Sequence, residues 1–521
     1  MDKFFGKIDK AIFWSSAIIC LIFVLIASTN PEAVSKVFGV LFSFFIDNLG
    51  WTYLLAVSGF VIFCLFLAFS KYGNIKLAKD DEKPEFSTAA WFAMLFAAGM
   101  GVGLVFWGVA EPIYHFAGAP LSESNTASAA SEAMRYTFFH WGLHAWAIYG
   151  VVALGLAYFQ FRKGLPGLIS SCFSPILGEE GIKGPIGKSI DTFTVVMALF
   201  GVATSLGLGA MQVTTGMNIM FSTPNTSTIS IVFVAIVTTL FTISAVTGIN
   251  RGIKWLSYIN MVAFAILMLV VLFLGPTRYI LNFFTESLGQ YIQNIVWMSF
   301  FVDAQGAVAE HTGYGWVGAW TVFYWAWWIT WTPFVGSFIA RISKGRTIRE
   351  FIVGILVAPS LLCFIWFSII GGTAIHMERF GAGGIAEATF ADVTSAIFAM
   401  FNNLPATELL SLMAMFVVTI FFITSADSAT LVVSMMTSGG DLEPKSGSRV
   451  FWGAIAGSIA SMLILTGGLS SVQTIAFALA FPFTIIMVFI MYTLTKSLAL
   501  EEASLNKLEN SRSNTAKTHN M

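Results

Sequence analysis

Apolar stretches of about twenty residues recur along the whole chain and constrain its fold more than any other feature. They lie near 12–29, 50–70, 88–112, 137–161, 190–218, 229–249, 254–275, 316–341, 350–372, 407–437, 450–468 and 473–495. Stretches of this length span a bilayer as helices, because lipid offers no partner to unpaired backbone polar groups. We therefore predict an all-α polytopic membrane protein with about twelve transmembrane helices.

The distribution of basic residues predicts how these helices are oriented. If the amino terminus faces the cytoplasm, 23 of the 27 Lys and Arg residues fall on the cytoplasmic side. The four others are Lys36, Arg135, Arg278 and Arg379. Because short cytoplasmic loops carry an excess of positive charge, we expect both termini in the cytoplasm.

The eighth apolar stretch contains an unusual concentration of large aromatic residues: Trp320, Tyr324, Trp325, Trp327, Trp328 and Trp331. Tyr324, Trp328 and Trp331 share one helical face, so we expect several rings to converge on one volume. Ring faces attract a cation that lacks hydrogen-bond donors, and quaternary ammonium is the leading candidate. An aromatic belt at the membrane interface is the alternative. Pro333 and Gly336 favour a site, because they would weaken the helix where irregular backbone needs a cavity or protein beside it.

The third apolar stretch is interrupted by glycines in the segment AAGMGVGLVFWGVAEP. Glycine weakens helix interiors, so the segment from Ala97 to Gly103 is predicted to be unwound; close helix packing is the alternative. The third and eighth spans lie five crossings apart and run in opposite directions. Interrupted spans at corresponding places indicate an inverted repeat, with spans 3–7 and 8–12 as its two halves.

This repeat divides the chain into five regions. We predict a cytoplasmic N-terminus with two leading helices at 1–87, a first repeat at 88–275, an external loop with an amphipathic helix at 276–315, a second repeat at 316–497 and a cytoplasmic tail at 498–521. The tail is polar, and we expect it to be disordered.

The tenth stretch brings oxygen-bearing side chains into the membrane. The segment TIFFITSADSAT contains Thr424, Ser425, Asp427 and Ser428. Hydroxyl and carbonyl oxygens suit a hard cation such as sodium, whereas helix packing is the alternative role for Thr and Ser. An ionisable residue is costly in the membrane, and we interpret Asp427 as structural or gating.

Five longer motifs occur in a fixed order along the chain. They are GMGVGLVFWGVAEP at 99–112, FFHWGLHAWAIY at 138–149, FGVATSLGLGA at 200–210, FYWAWWITWTPFVGSFIARISKGRTIREF at 323–351 and FFITSADSAT at 421–430. These motifs resemble those of the betaine/choline/carnitine transporters, and most closely the sodium-coupled glycine betaine carriers. The resemblance implies a secondary transporter, not an enzyme, that imports glycine betaine or a related quaternary-ammonium zwitterion by sodium symport with alternating access. It also implies a homotrimer in the bacterial inner membrane.

The resemblance further implies two sites in this sequence. The implied substrate site comprises Gly99, Met100, Gly101, Gly103, Trp141, Trp146, Tyr149, Trp327, Trp328 and Trp331. The implied sodium ligands are the carbonyl oxygens of Ala97, Met100 and Phe421 and the hydroxyls of Thr424 and Ser425. Sodium is therefore the expected coupling ion, and no organic cofactor or nucleic acid is expected.

Three positions bear on ion number and substrate choice. A second sodium site of some relatives uses hydroxyl residues where this chain has Ala198 and Val202, although Phe334 remains, so the sodium stoichiometry stays open. Some choline-preferring relatives have Asp where this chain has Gly103. The uncharged glycine favours a zwitterion over choline.

The sequence leaves three alternative functions to consider. A sodium-independent exchanger or a proton-coupled carrier of choline- or carnitine-type substrates could use the same aromatic residues. The oxygen donors Thr424 and Ser425 argue against the exchanger. A membrane enzyme is disfavoured because Glu111, His140, His144 and Asp427 are too scattered in the sequence to suggest an acid/base or metal constellation. The two histidines are predicted to be packed or hydrogen-bonded.

Overall fold

A computed structural model describes residues 2–99, 101–247 and 250–519. Side chains are described for these residues except 2, 3, 96–99, 244, 245, 247, 250–254 and 504–519. Helices account for almost all of the secondary structure within this part of the chain. Its one extended pairing is an isolated antiparallel bridge between Lys76 and Thr347.

Three helices precede the predicted repeats: α1 (Asp2–Phe5), α2 (Lys10–Thr29) and α3 (Pro31–Phe69). Asp9 caps α2, because its carboxylate accepts the otherwise unpaired backbone N–H groups of Ala11 and Ile12. Pro31 suits the first turn of α3, because backbone N–H groups there have no acceptor within the helix and the N–H that proline lacks is not needed. With 39 residues, α3 exceeds the length of one span and begins well before the predicted boundary at residue 50.

The predicted first repeat contains eight described helices: α4 (Thr88–Gly99), α5 (Val102–Ala117), α6 (Ala127–Trp141), α7 (Leu143–Ala157), α8 (Ser174–Lys183), α9 (Pro185–Phe221), α10 (Ser227–Thr247) and α11 (Asn250–Leu274). Two of its spans are divided. The third consists of α4 and α5, and the fourth of α6 and α7, which are separated by Gly142 with the non-helical angles φ −95° and ψ −140°.

The remainder of the chain forms nine further helices in the described region: α12 (Thr277–Phe300), α13 (Ala307–Thr312), α14 (Phe323–Ile342), α15 (Ile348–Phe380), α16 (Ile385–Ala391), α17 (Ala396–Phe401), α18 (Thr407–Thr437), α19 (Ser446–Thr466) and α20 (Leu469–His519). Helix α12 lies in the segment for which an amphipathic helix was predicted. It buries Ile280, Phe283 and Tyr291 on one side and exposes Leu281 and Ile292 on the other.

The number of spans agrees with the sequence prediction. Among the described residues, nine helical segments are long and apolar enough to cross a membrane. The three predicted spans outside this set are the divided third span, the shorter apolar helix α10 and the tryptophan-rich eighth span. The all-α polytopic fold is therefore confirmed.

The eighth span does not break at Pro333 as expected from the sequence. Helix α14 continues through Pro333 and Gly336. Proline cannot donate to the carbonyl of Ile329, but the Thr332 hydroxyl donates to that oxygen instead. Gly336 lets α14 approach α7, since an added Cβ would lie 3.0 Å from Val152 Cγ1. Both residues thus serve packing within a continuous helix.

The C-terminal segment is helical where disorder was expected. Helix α20 passes the predicted boundary at residue 497 and reaches His519. Glu501 is held by Arg162 and by Lys163, whose Nζ lies 2.7 Å from a carboxylate oxygen. Glu502 pairs with Lys71 at 2.5 Å. These ion pairs attach the start of the tail to the ends of α3 and α7, so the disorder prediction is wrong here.

Replacing Gly201 by alanine tests the contact between α9 and α14. An added Cβ would lie 2.7 Å from the backbone oxygen of Thr330, which cannot swing aside as a side chain can. We expect Gly201→Ala to destabilise the protein by about 1–3 kcal/mol through overpacking. A fall in the melting temperature of detergent-solubilised protein would report this loss.

Gly59→Ala is the matched control, because Gly59 also lies within a helix but has no atom within 4 Å of its added Cβ. It should keep or slightly raise the melting temperature, since alanine favours helix. Equal melting temperatures for Gly201→Ala and the unmodified protein would contradict the packing argument.

Candidate functional site

A cavity of about 470 Å³ lies where the divided third and fourth spans meet α14 and α18. Its volume is in the range of small-molecule sites. The predicted site residues that line it are Gly101, Gly103, Trp141, Trp146, Tyr149, Trp327, Trp328, Trp331, Phe421, Thr424 and Ser425. The structure therefore brings together residues from four separate sequence motifs, although their roles stay predictions.

Aromatic rings form one wall of this cavity, which we call the aromatic cage: Trp141, Trp146, Tyr149, Trp327, Trp328 and Trp331. The rings of Trp141 and Trp328 meet at 75° with their centroids 4.8 Å apart. Trp327 stacks on Trp328 at 4.9 Å, while Tyr149 meets Trp328 edge-on at 6.2 Å. Rings at such steep angles can present several faces to one small cation.

A break in the fourth span helps to hold the cage. Helix α6 ends at Trp141, so its last carbonyl groups lack helical partners. Trp328 donates its indole N–H to one of them, the oxygen of His140, at 2.9 Å. Gly142 is required at the break, because an added Cβ would lie 2.8 Å from the Phe364 ring.

The third span supplies unpaired backbone groups beside the cage. Helix α4 ends at Gly99, α5 begins at Val102, and Gly101 between them is extended with φ −158° and ψ −178°. The predicted break is confirmed but narrower than expected, since residues 97–99 and 102–103 are helical. Ala97 lies in the last turn of α4, whose carbonyl groups lack helical partners. Met100 lies outside the described residues.

Gly103 brings the third span into direct contact with the cage. A Cβ at this position would lie 2.6 Å from Trp327 Cη2 and 3.4 Å from Trp141 Cη2. Any larger residue, including aspartate, would push against Trp327 in this conformation. The lack of a side chain is thus a packing requirement of the cage as well as a lack of charge.

Not all of the eighth-span aromatic residues reach the cavity. Trp320 packs on His115 with ring centroids 4.5 Å apart, and Trp325 stacks on His144 at 5.3 Å. Tyr324 is fully buried and donates its hydroxyl to Glu111 at 2.5 Å. Three of the six rings, those of Trp327, Trp328 and Trp331, line the cavity. Tyr324 does not, although it was predicted to share a face with Trp328 and Trp331, because neighbouring positions on α14 face different helices.

Hydroxyl-bearing residues of α18 also line the cavity. Thr424 and Ser425 line the cavity, and the Thr424 hydroxyl donates to the backbone oxygen of Ile420 at 2.9 Å. A hydroxyl that donates in this way keeps lone pairs for a cation. The described residues that line the cavity include no Lys, Arg, His, Asp or Glu. This donor set fits the predicted sodium ligands.

Two residues of α11 that line the cavity, Ser257 and Asn260, were not predicted from the sequence. Asn260 is buried, and neither of its side-chain polar atoms has a hydrogen-bond partner among the described residues. An asparagine within the apolar seventh stretch was the available signal. By contrast, Ala198 and Val202 are buried and offer no side-chain oxygen, as expected from the sequence.

Several polar groups thought to be scattered are in fact paired. Ligand atoms of Glu111, His115 and His140 lie within 4.8 Å of one another. The expectation that Glu111 and His140 are too far apart to form a cluster is therefore wrong. His144 is hydrogen-bonded, as predicted, to the Ser299 hydroxyl at 2.9 Å. Asp427 forms an ion pair with Arg449 at 2.5 Å, which agrees with a structural role.

Comparison with known proteins now identifies the family. A sequence model described as BCCT, betaine/carnitine/choline family transporter, matches residues 11–503. The chain belongs to this family. It is 49% identical over 501 residues to the glycine betaine transporter OpuD of Bacillus subtilis (strain 168), covering 96% of each chain.

Two other relatives extend the comparison. A probable glycine betaine transporter of Desulfitobacterium hafniense (strain Y51) is 44% identical, over 96% of this chain and 99% of the relative. The ectoine/hydroxyectoine transporter of Virgibacillus pantothenticus is 41% identical, over 95% and 98%. The BCCT chain described here is therefore a multi-pass membrane transporter and not an enzyme.

Gly103→Ala tests the contact between the third span and the cage. The added methyl group would displace the Trp327 ring and remove part of its attraction for a cation, so we expect binding of a trimethylammonium compound to weaken about threefold or more. Titration of the purified protein with glycine betaine, followed by tryptophan fluorescence, measures this change.

The control is Gly207→Ala, whose added Cβ would lie no closer than 3.9 Å to Ile464. This variant should bind like the unmodified protein. Unchanged affinity in Gly103→Ala would mean that the ring contact does not shape the site.

Proposed function

We propose that this BCCT chain imports glycine betaine, or a related quaternary-ammonium zwitterion, by sodium-coupled symport. The observation that best supports this proposal is that the aromatic cage and the side chains of Thr424 and Ser425 line the same cavity. A methylated ammonium group meets the rings and a hard cation meets the oxygen atoms. Both ligands then share one space and can influence each other's affinity.

The cage suits the ammonium end of the substrate. A trimethylammonium group has no N–H to donate, so it loses little when it leaves water for ring faces that offer no hydrogen-bond acceptor. The lining lacks acidic side chains among its described residues. A ligand with no net charge therefore fits the cavity better than a free cation, and we expect glycine betaine to be preferred over choline.

The start of α5 offers hydrogen bonds to the carboxylate end of a zwitterion. The Leu104 N–H donates to the Gly101 oxygen at 3.2 Å. By contrast, the N–H groups of Val102 and Gly103 precede the first helical acceptor, and the positive end of the helix dipole favours an anion there. The indole N–H groups of Trp327 and Trp331 lack partners among the described residues but are buried in this conformation. Donation from α5 would orient the substrate with its carboxylate away from the ring faces.

Sodium would be held between the third and tenth spans. The proposed ligands are the hydroxyls of Thr424 and Ser425 and the carbonyl oxygens of Ala97, Met100 and Phe421. Bound sodium supplies positive charge that neutralises these oxygen dipoles. Because the same backbone segment adjoins the cage, holding it in one shape promotes substrate binding, and the coupling is reciprocal.

Transport requires the cavity to open to each side in turn, and the packing suggests which helices move together. Trp366 of α15 donates to the backbone oxygen of Leu104 in α5 at 2.9 Å. Gly371 of α15 lies against Pro112, with an added Cβ only 2.5 Å from the Pro112 ring. We propose that the third, fourth, eighth and ninth spans rock as one bundle against the rest.

The orientation and assembly belong to the same proposal. The excess of basic residues in alternate loops supports cytoplasmic termini and import into a bacterial cell across its inner membrane. A homotrimer is implied by the family resemblance alone. Sodium-independent exchange and proton coupling remain the competing modes, and ectoine belongs in the substrate panel because one relative is named for it.

Uptake into proteoliposomes tests the substrate and the cage together. Radiolabelled glycine betaine should accumulate with an inward sodium gradient and not with an equal potassium gradient. Trp331→Ala should lower the initial rate at least about tenfold, because it removes a ring that lines the cavity.

Trp331→Phe is the matched control and should retain part of the rate, since it keeps an aromatic face. Competition with unlabelled choline and ectoine tests selectivity, and tighter competition by choline than by betaine would contradict the zwitterion preference. Uptake that needs internal betaine and no sodium would instead support the exchanger.

The sodium ligands can be tested separately. Replacing both Thr424 and Ser425 by alanine should raise the sodium concentration for half-maximal uptake at least about tenfold, because two ligand oxygens are lost. Thr419→Ala is the control, since its hydroxyl also donates within α18, to the oxygen of Met415, but does not line the cavity. An unchanged sodium dependence in the double variant would refute the ion assignment.

A further inference from the structure

A fully buried carboxylate lies directly behind the aromatic cage. Oε2 of Glu111 accepts hydrogen bonds from Trp141 Nε1 at 2.6 Å and from the Tyr324 hydroxyl at 2.5 Å. Oε1 lies 2.6 Å from His140 Nδ1. Glu111 has no exposed surface, and it does not line the cavity. The carboxylate therefore cannot contact the substrate in this conformation.

Burying a carboxylate destabilises a protein unless neighbouring groups compensate for the lost water. A carboxylate inside a membrane span loses its water and persists only where partners satisfy its oxygen atoms. Glu111 stands on α5, His140 and Trp141 on α6, and Tyr324 on α14. One side chain thus joins the third, fourth and eighth spans, which together carry all six rings of the cage.

The contact geometry favours a hydrogen-bonded cluster over a metal centre. Two atoms bound to one zinc ion at ordinary ligand distances are about 3 Å apart or more, whereas Glu111 Oε1 and His140 Nδ1 are separated by 2.6 Å. His115 Nε2 lies 3.5 Å from the same oxygen. The opposite nitrogen of His140 pairs with the Thr321 hydroxyl at 2.9 Å, which fixes the ring from both ends.

The bonds to Glu111 act on rings that define the cage. An indole N–H can only donate, so its bond to a carboxylate fixes how Trp141 is turned. Trp141 stands at 75° to Trp328 and at 89° to Trp327. Tyr324, the second donor, lies nearly parallel to Trp328 with centroids 5.9 Å apart. Releasing these two donors would let the cage relax.

The carboxylate also affects the electrostatics of the cage. A ring attracts a cation through the negative potential on its faces. An N–H that donates into a carboxylate makes that potential more negative, and the effect is stronger in surroundings with few competing dipoles. The cage thereby gains attraction for a cation although no acidic side chain of the described residues lines the cavity. An acidic side chain in the cavity would instead favour choline, which carries a net positive charge.

We propose that Glu111 is a positioning residue for the aromatic cage, and that its hydrogen bond with Trp141 strengthens the binding of quaternary ammonium by that ring. This proposal rests on the proposed function of the cage. It assigns a role to a residue that neither lines the cavity nor belongs to the predicted sodium site.

Glu111→Gln tests the proposal with little change in volume. The amide keeps one acceptor oxygen, but its NH2 group cannot accept from Trp141 or Tyr324, so we expect the KM for glycine betaine uptake to rise about tenfold. The maximal rate at saturating betaine should fall less than twofold per molecule of folded protein, since other steps do not involve Glu111. A merely structural role would lower the amount of folded protein and the maximal rate while leaving KM unchanged.

Glu132→Gln is the matched control. Glu132 is also buried and accepts hydrogen bonds, from the Leu121 N–H at 2.8 Å and the Ser122 hydroxyl at 2.6 Å. It lies on α6 two turns before His140 and contacts no cage ring. Its loss should leave KM unchanged, whereas an equal rise in KM in both variants would overturn the proposal.

A second measurement needs no substrate. Protein labelled with 5-fluorotryptophan gives a fluorine resonance for Trp141 that is identified by its loss in Trp141→Phe. Glu111→Gln should shift this resonance, because the carboxyl partner of the indole becomes an amide, and Glu132→Gln should not. An unmoved resonance would overturn the positioning role.

The two measurements also separate this proposal from the proposed function. If the unmodified protein transported no betaine, the proposed function would fail, and the Trp141 resonance would still decide whether Glu111 holds the ring. If transport and the resonance shift were both observed without a change in KM, Glu111 would hold the ring but not strengthen binding, and the proposal would be overturned.

Discussion

Every backbone N–H and C=O inside the bilayer needs a partner within the protein, and this constraint governs where the chain can leave the helical path. The interruption between α4 and α5 and the one at Gly142 both adjoin the central cavity. At the second, the His140 oxygen freed by the end of α6 is taken by Trp328. The same interruptions that would be costly in lipid thus provide the polar groups and close contacts of the candidate site.

Buried carboxyl groups likewise have partners within the protein. Glu111 is surrounded by donors from two other helices, and Asp427 is paired with Arg449. The cavity wall itself carries no charged side chain among its described residues. This separation of charge from cavity suits a ligand that is neutral overall but carries a cationic group. It also explains how a site could attract quaternary ammonium without becoming a site for choline.

The sequence was sufficient for the parts of the fold that depend on composition along the chain. Runs of apolar residues predicted the spans, and the glycines near residue 100 predicted the break. Helix ends were harder, because α3 and α20 continue beyond the apolar stretches. In α20 the continuation is held by Glu501 and Glu502 through pairs with residues more than 300 positions earlier. Such distant partners leave no local signal.

For the site, the sequence by itself determined which side chains are present: tryptophans whose rings can attract a cation, hydroxyls that can accept an ion and glycines that allow close approach. Only the tertiary structure decided which of these groups meet. It directs Trp327 and Trp328 to the cavity but Trp325 away from it, because adjacent positions on α14 face different neighbours. It also joins Glu111 to Tyr324 across 213 positions. Residue type sets what a side chain can bind, whereas helix packing sets whether it has anything to bind.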